Sequence, residues 1–268
     1  MELGITEKTA IITGASTGIG FAIARELAEN GARVVLVART ADRLHQAAKV
    51  IMQECHAEVL AVPADVSDPA APERIVHSAL ARFGGVDIMI NSAGRAHAGD
   101  ILETTDADWE EMTATKLSAM QRFCRGVIPG MRERHWGRIV NISSIGGIYP
   151  NYKLTVSHAL SAAINNLTRS LALEFAPDGI LINAVAVGAV ITENWKHNML
   201  PSVRRQRPEL ADYSDERLID LLGKELTPVG RFGRPEEIAS VVVFLASDRN
   251  SFVTGDIIQA SGGADRFI

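Results

Sequence analysis

The chain has 268 residues, with 27 basic against 32 acidic side chains and a formal net charge of −5; 47% of it is hydrophobic and 22% charged. This texture fits one soluble globular domain and excludes disordered and fibrous classes. It also lacks the broad basic field that nucleic acid or an anionic membrane would require.

Only Cys55 and Cys124 occur, without metal-ligand spacing, so no disulfide framework or metal site is expected. No apolar run approaches the ~20 residues that span a bilayer. The start, MELGITEKTAIITG, lacks a charged-then-apolar leader layout, and a cytoplasmic protein is expected.

In chain order, a β-branched strand over 9–13 stops at Gly14. GASTGIG follows, then a helical pattern through Ile19, Ala22, Ile23 and Leu27, with Gly31 at a left-handed cap position. The apolar run 33–37 predicts a fully buried strand. Further helices are predicted over 43–54, 72–83, 108–134 and 155–174. Further strands are predicted over 59–62, 86–90, 138–142 and 180–187. After a long polar stretch, Pro235 opens a helix, and 257–259 form a last strand. Continuous apolar strands alternating with amphipathic helices imply an α/β, doubly wound single domain, a parallel sheet with helices on both faces.

The first strand-to-helix turn reads Gly14-x-x-x-Gly18-x-Gly20, with Thr13 before it. Such a turn places backbone N–H groups and a helix N-terminus where a pyrophosphate sits, although a purely structural turn also produces glycine triplets. At the end of the second strand, where an acidic residue would accept from a ribose 2′-hydroxyl, stand Ala38 and Arg39. A guanidinium there grips a 2′-phosphate, which favours NADP(H); the alternative is a solvated loop arginine.

Thr13-Gly14-Ala15-Ser16-Thr17-Gly18-Ile19-Gly20, Asp65-Val66, Asn91-Ser92-Ala93-Gly94, GRIVNISS at 137–144, NAVAVG at 183–188 and Gly230-Arg231-Phe232-Gly233-Arg234-Pro235 occur in that order. Together they resemble the short-chain dehydrogenase/reductase family over essentially the whole chain. The resemblance implies a Rossmann-type domain over 1–268. It implies cofactor contacts from Gly14, Ser16, Thr17, Gly18, Ile19, Gly20, Arg39, Asp65, Val66, Asn91, Ala93, Gly94, Gly188, Val190 and Thr192. In that reading the residue matching Asp65 holds the adenine amine, and the one matching Thr192 bonds the nicotinamide carboxamide. Val187 departs from the usual proline before Gly188, which frees φ there.

Members of the family carry an asparagine, a serine, a tyrosine and a lysine as a catalytic tetrad. Here only the serine persists, as Ser144. The tyrosine position, thirteen residues on, is Ser157, the lysine position is Ser161, and the asparagine position is Lys116. A literal Y-x-x-x-K, Tyr149 to Lys153, lies eight residues early, ~12 Å along a helix, and contains Pro150. Serine is a far weaker acid than a lysine-flanked phenol, so Ser157 alone does not replace the proton donor.

Lys116 is the stronger candidate, since burial would lower its pKa; the alternative is a lysine bent to solvent. Tyr152 is a further candidate donor, or a pocket wall. Of the histidines, His97 follows the Asn91 segment near the cleft, and His158 is expected at the surface.

Between 192 and 228 the resemblance implies a substrate loop, with a lid helix over 215–225. Its Arg204, Arg205 and Arg207 would bind a carboxylate or phosphate, as in a CoA thioester, or form a solvated face. The expected function is an NADP(H)-dependent oxidoreductase on a small carbonyl or alcohol substrate. The alternatives are a non-redox lyase or hydrolase and a catalytically silent NADP(H)-binding subunit. By the same resemblance, the helices near 113–123 and 160–173 would form a homotetramer or homodimer.

Overall fold

The structure is a computed structural model that describes residues 2–264; residue 1 and residues 265–268, at the ends of the expected 1–268 domain, lie outside the described residues. The strands are β1 (Thr9–Thr13), β2 (Arg33–Ala38), β3 (Val59–Pro63), β4 (Ile88–Asn91), β5 (Gly137–Ser144), β6 (Ile180–Val187) and β7 (Ile257–Ala260). They pair in parallel in the order β3-β2-β1-β4-β5-β6-β7. The helices are α1 (Gly18–Glu29), α2 (Ala41–Cys55), α3 (Ala71–Phe83), α4 (Asp106–Met112), α5 (Ala119–Glu133), α6 (Thr155–Phe175), α7 (Glu193–Gln206), α8 (Asp215–Leu226) and α9 (Pro235–Leu245).

The reason for two helical layers is visible residue by residue. Ile12, Val34 and Leu36 point to one face, among Ile23, Leu27, Leu44 and Val242 of α1, α2 and α9. Their neighbours Ile11, Val35 and Val37 point to the other, among Ile75, Phe123 and Ile164 of α3, α5 and α6. With side chains alternating along a strand, a run apolar at every position must be covered on both sides. Each large side chain sealed this way contributes about 1.5–3 kcal/mol.

Strand order reverses between β1 and β4, and the crevice beyond their carboxyl ends is where such sheets bind ligands.

The structure differs from the periodicity in two places. The helix read over 108–134 begins at Asp106 and carries a π-helical turn over Thr113–Ser118. The polar stretch from 192 adds α7 ahead of α8, the helix expected over 215–225, and Leu200 of α7, Leu210 between the two helices and Leu218 and Leu222 of α8 close a small core with Phe232.

Candidate active site

The glycine-rich turn is shaped by backbone contacts. Gly14 takes φ +71° and lies 3.0 Å, measured from an added Cβ, from the Ser92 carbonyl oxygen. Thr13 ties this turn to β4, its hydroxyl accepting from the N–H groups of Ser92 and Ala93, both at 3.0 Å. Thr17, at the N-cap of α1, makes no side-chain capping bond, and the first turn holds no acidic residue. Those helix N–H groups are thus left for an anion, and the cradle fits a dinucleotide pyrophosphate.

Thr192 arches over the same point, 3.4 Å from where a Cβ on Gly18 would be, and its hydroxyl caps α7 by accepting from the Trp195 N–H at 3.0 Å. Val190 bridges to Gly233, and Gly188 donates to the Ala260 carbonyl, which fixes the loop between β6 and α7.

Just beyond β2 Arg39 is exposed, its Nη1 3.9 Å from Asp65 Oδ2. Partial burial of Asp65 opposes its ionisation, but bonds from the Ser67 N–H (2.9 Å) and hydroxyl (2.7 Å) and the charge of Arg39 outweigh it, leaving the carboxyl below its ordinary range. Asn91 anchors the centre through a buried relay: its amide donates to Asn141 Oδ1, and Asn141 donates to the Thr168 hydroxyl, each at 2.9 Å.

Ser144 closes β5, and its Oγ accepts from the Gly146 N–H at 3.2 Å. Ser157 and Ser161 are buried on α6; the Ser161 hydroxyl donates to the Ser157 carbonyl at 2.8 Å, and the Ser143 hydroxyl donates to the Ser161 carbonyl at 3.3 Å. The Ser161 hydroxyl, satisfied along its own helix in this way, supplies no acid.

Lys116 enters from the opposite wall. Carried inward on the π turn, its stem lies against Gly94, where an added Cβ would meet Cγ at 3.2 Å and Cε at 3.5 Å. It lines a small cavity with Thr13, Asn91, Ala93, Ile142 and Ile164. The residue keeps some accessible surface, but burial alone pulls the ammonium from 10.5 down to about 8, with no carboxylate to hold the charge.

Tyr152 does not join this group. It is 72% exposed in the loop before α6, beside Lys153, whose ammonium donates to Gln206 Oε1 at 3.0 Å. His97 Nε2 lies 3.5 Å from Asp108 Oδ1. Two of the three cluster arginines are engaged within the chain, Arg204 with Asp215 at 2.7 Å and Arg207 with Glu209 at 3.0 Å and Glu225 at 2.6 Å, while Arg205 is exposed.

His158 corrects the sequence reading. It is buried, not at the surface, because α6 is covered at 156, 157, 158, 160 and 161 alike. The adjacent pair Gly146-Gly147 was the available signal, since glycines at the end of a strand mark a close approach by a neighbour.

Comparison with known proteins agrees with this geometry. The family model for enoyl-(acyl carrier protein) reductase matches residues 14–265. Galactitol 2-dehydrogenase (L-tagatose-forming) of Cereibacter sphaeroides is 39% identical over 95% of this chain and 93% of its own. The 3-oxoacyl-[acyl-carrier-protein] reductase of Escherichia coli is 33% identical over 96% of each. L-sorbose reductase of Gluconobacter frateurii, solved with NADPH and L-sorbose, superposes with a TM-score of 0.91 over 100% of both chains at 34% identity. With this cradle, this strand order and these relatives, the chain belongs to the short-chain dehydrogenase/reductase family of oxidoreductases.

Proposed function

We propose that the protein is an NADP(H)-dependent oxidoreductase that interconverts a small ketone and its secondary alcohol, with Lys116 in place of the family's tyrosine as the proton-holding group. The observation that carries this reading is the Lys116 ammonium, desolvated against Gly94 beside an intact dinucleotide cradle. A group of pKa about 8 is charged enough to donate a proton at neutral pH and weak enough to recover one.

The residues that would hold the cofactor are Gly14, Ser16 to Gly20, Asp65, Val66, Asn91, Ala93, Gly94, Gly188, Val190 and Thr192, with Arg39 on the 2′-phosphate. When bound, the cofactor supplies the hydride. Ser144 orients the substrate oxygen, Ser157 leaves room where a phenol would stand, and the 192–228 segment covers the substrate. The ketose and 3-oxoacyl chemistry in these relatives' names, with that of D-beta-hydroxybutyrate dehydrogenase of Rhizobium meliloti, 33% identical over 96% of this chain and 98% of its own, sets the test panel: L-sorbose, L-tagatose, 3-oxobutyrate and a 3-oxoacyl thioester.

NADPH oxidation with any of the four supports the reading. NADPH binding without turnover on all four sinks it in favour of a silent subunit.

Arg39→Ala is expected to raise the Kd for NADPH about tenfold, the loss of one exposed charge-assisted contact, and to leave NADH unchanged. Fluorescence titration with both nucleotides checks this; equal effects on both would remove Arg39 from 2′-phosphate recognition.

Assembly as a homotetramer or homodimer through the α5 and α6 faces is part of the same reading. Leu173 on α6, 83% exposed, marks that face, and light scattering measures the state.

A further inference from the structure

His158 has one ring nitrogen committed and one free. Nδ1 accepts the Asn151 N–H at 2.9 Å, so in the neutral ring the proton sits on Nε2. The ring occupies the place of a side chain at Gly146, where an added Cβ would fall 2.0 Å from Cδ2 and 2.1 Å from Nε2. The N–H of that glycine donates to Ser144 Oγ, so the imidazole lies in the bend that carries the Ser144 hydroxyl.

Nε2 has no hydrogen-bond partner among the described residues. It is also absent from the sealed unpartnered atoms, which are Thr104 Oγ1, Arg122 Nη1 and the Asn165 amide. A donor neither satisfied nor sealed opens onto accessible space. Lys116 lies within electrostatic reach of the ring, and its charge acts on it.

We propose that the His158 Nε2–H, together with Ser144, holds the substrate oxygen and stabilises the charge that gathers there, the part of the missing tyrosine's task that Lys116 leaves undone. The assignment rests on the oxidoreductase reading. In reduction the carbonyl gains two electrons and two hydrogens: a hydride from NADPH, which becomes NADP⁺, and a proton from the Lys116 ammonium, whose amine is reprotonated by water. His158 keeps its proton throughout, and its hydrogen bond strengthens as negative charge builds on the oxygen.

The arrangement suits a neutral ring. Burial, and then the Lys116 charge, hold its pKa below the ordinary 6.5. Beyond its own helix the ring meets the 145–147 turn, which carries no titratable group, and the 148–154 loop, whose titratable groups are Tyr149, Tyr152 and Lys153; Lys116 on the π turn acts through its charge, and His158 is itself the titratable group of that part of α6. Protonating Nδ1 would break the Asn151 bond and set imidazolium against ammonium, so an acid limb of activity belongs to this residue.

The test compares His158→Asn with His158→Gln, using the panel ketone that the wild type reduces fastest. Asparagine keeps an acceptor at the Nδ1 place and removes the Nε2 donor; glutamine restores a donor near Nε2. The expected result is a kcat lower by about 10²–10³ in His158→Asn, the loss typical of one oxyanion donor. NADPH affinity stays unchanged, and kcat recovers at least tenfold in His158→Gln, with the acid limb gone and the alkaline limb near 8 kept. If His158→Asn does not fold, as thermal unfolding would report, the pH profile of His158→Gln decides alone. Wild-type kcat in His158→Asn, or an unchanged acid limb in His158→Gln, overturns the assignment while leaving the oxidoreductase reading standing. A wild type that binds NADPH and reduces no panel ketone overturns both.

Discussion

Lys116→Met is expected to make the protein more stable and nearly inactive. Methionine matches the length of the stem that lies along Gly94 and removes the charge at its end. The folded-state pKa of about 8, against 10.5 in the unfolded chain, means that the native protein binds this proton less well. At neutral pH, below both values, the buried charge costs the native state about 3 kcal/mol. Between pH 8 and 10.5 the unfolded chain holds the proton and the native chain does not, so wild-type stability rises across that window. The Met variant should lack this rise and unfold about 5–10 °C higher at pH 7. Its kcat for ketone reduction should fall by about 10²–10⁴, the usual contribution of a positioned acid. Wild-type reduction should weaken above pH 8 as the ammonium is lost. Urea denaturation at pH 7 and 10, with NADPH oxidation alongside, checks each part. A stabilised variant with undiminished turnover would leave Lys116 a structural liability with no part in the chemistry.

The strands were legible because every position from Val34 to Val37 is apolar, and burial on both faces is the one arrangement that accounts for such a run. The glycine turn was legible for a similarly local reason, since Gly14 needs a positive φ directly after a strand. What the sequence conceals is where helices place long side chains. The π turn at Thr113–Ser118 leaves no composition signal, yet it carries Lys116 inward. The pairing of Arg204 with Asp215 and of Arg207 with Glu225 is tertiary, so the same arginines read equally well as an anion site from sequence alone. His158 was misplaced for a third reason. A polar residue on a helix reads as surface unless its covering loop is known, and here the cover is Gly146, whose missing side chain lets the ring approach backbone.

Gly20→Ala tests the cradle with a single methyl group. A Cβ at Gly20 would lie 2.4 Å from the Gly14 carbonyl oxygen, 2.8 Å from its carbon and 3.2 Å from the Ala15 nitrogen. All three are backbone atoms, so no side chain can rotate away and α1 must shift from β1 as a body. Overpacking of this kind costs about 1–3 kcal/mol, and the midpoint should fall by roughly 3–10 °C. The larger effect is on the ligand. The uncapped N–H groups beyond Thr17 converge on a pyrophosphate only while the helix start stays against the turn, so NADPH affinity should drop by more than about tenfold, the equivalent of one charge-assisted hydrogen bond. Gly85→Ala is the control: the nearest neighbour to an added Cβ is the Arg134 guanidinium at 3.5 Å, an ordinary van der Waals distance, and its stability and NADPH affinity should stay at wild-type values. Calorimetry and fluorescence titration on the two variants separate loss of fold from loss of cradle. Wild-type NADPH binding in a folded Gly20→Ala protein would mean that the dinucleotide does not depend on this turn, and the placement of Arg39, Asn91 and Thr192 around it would lose its anchor.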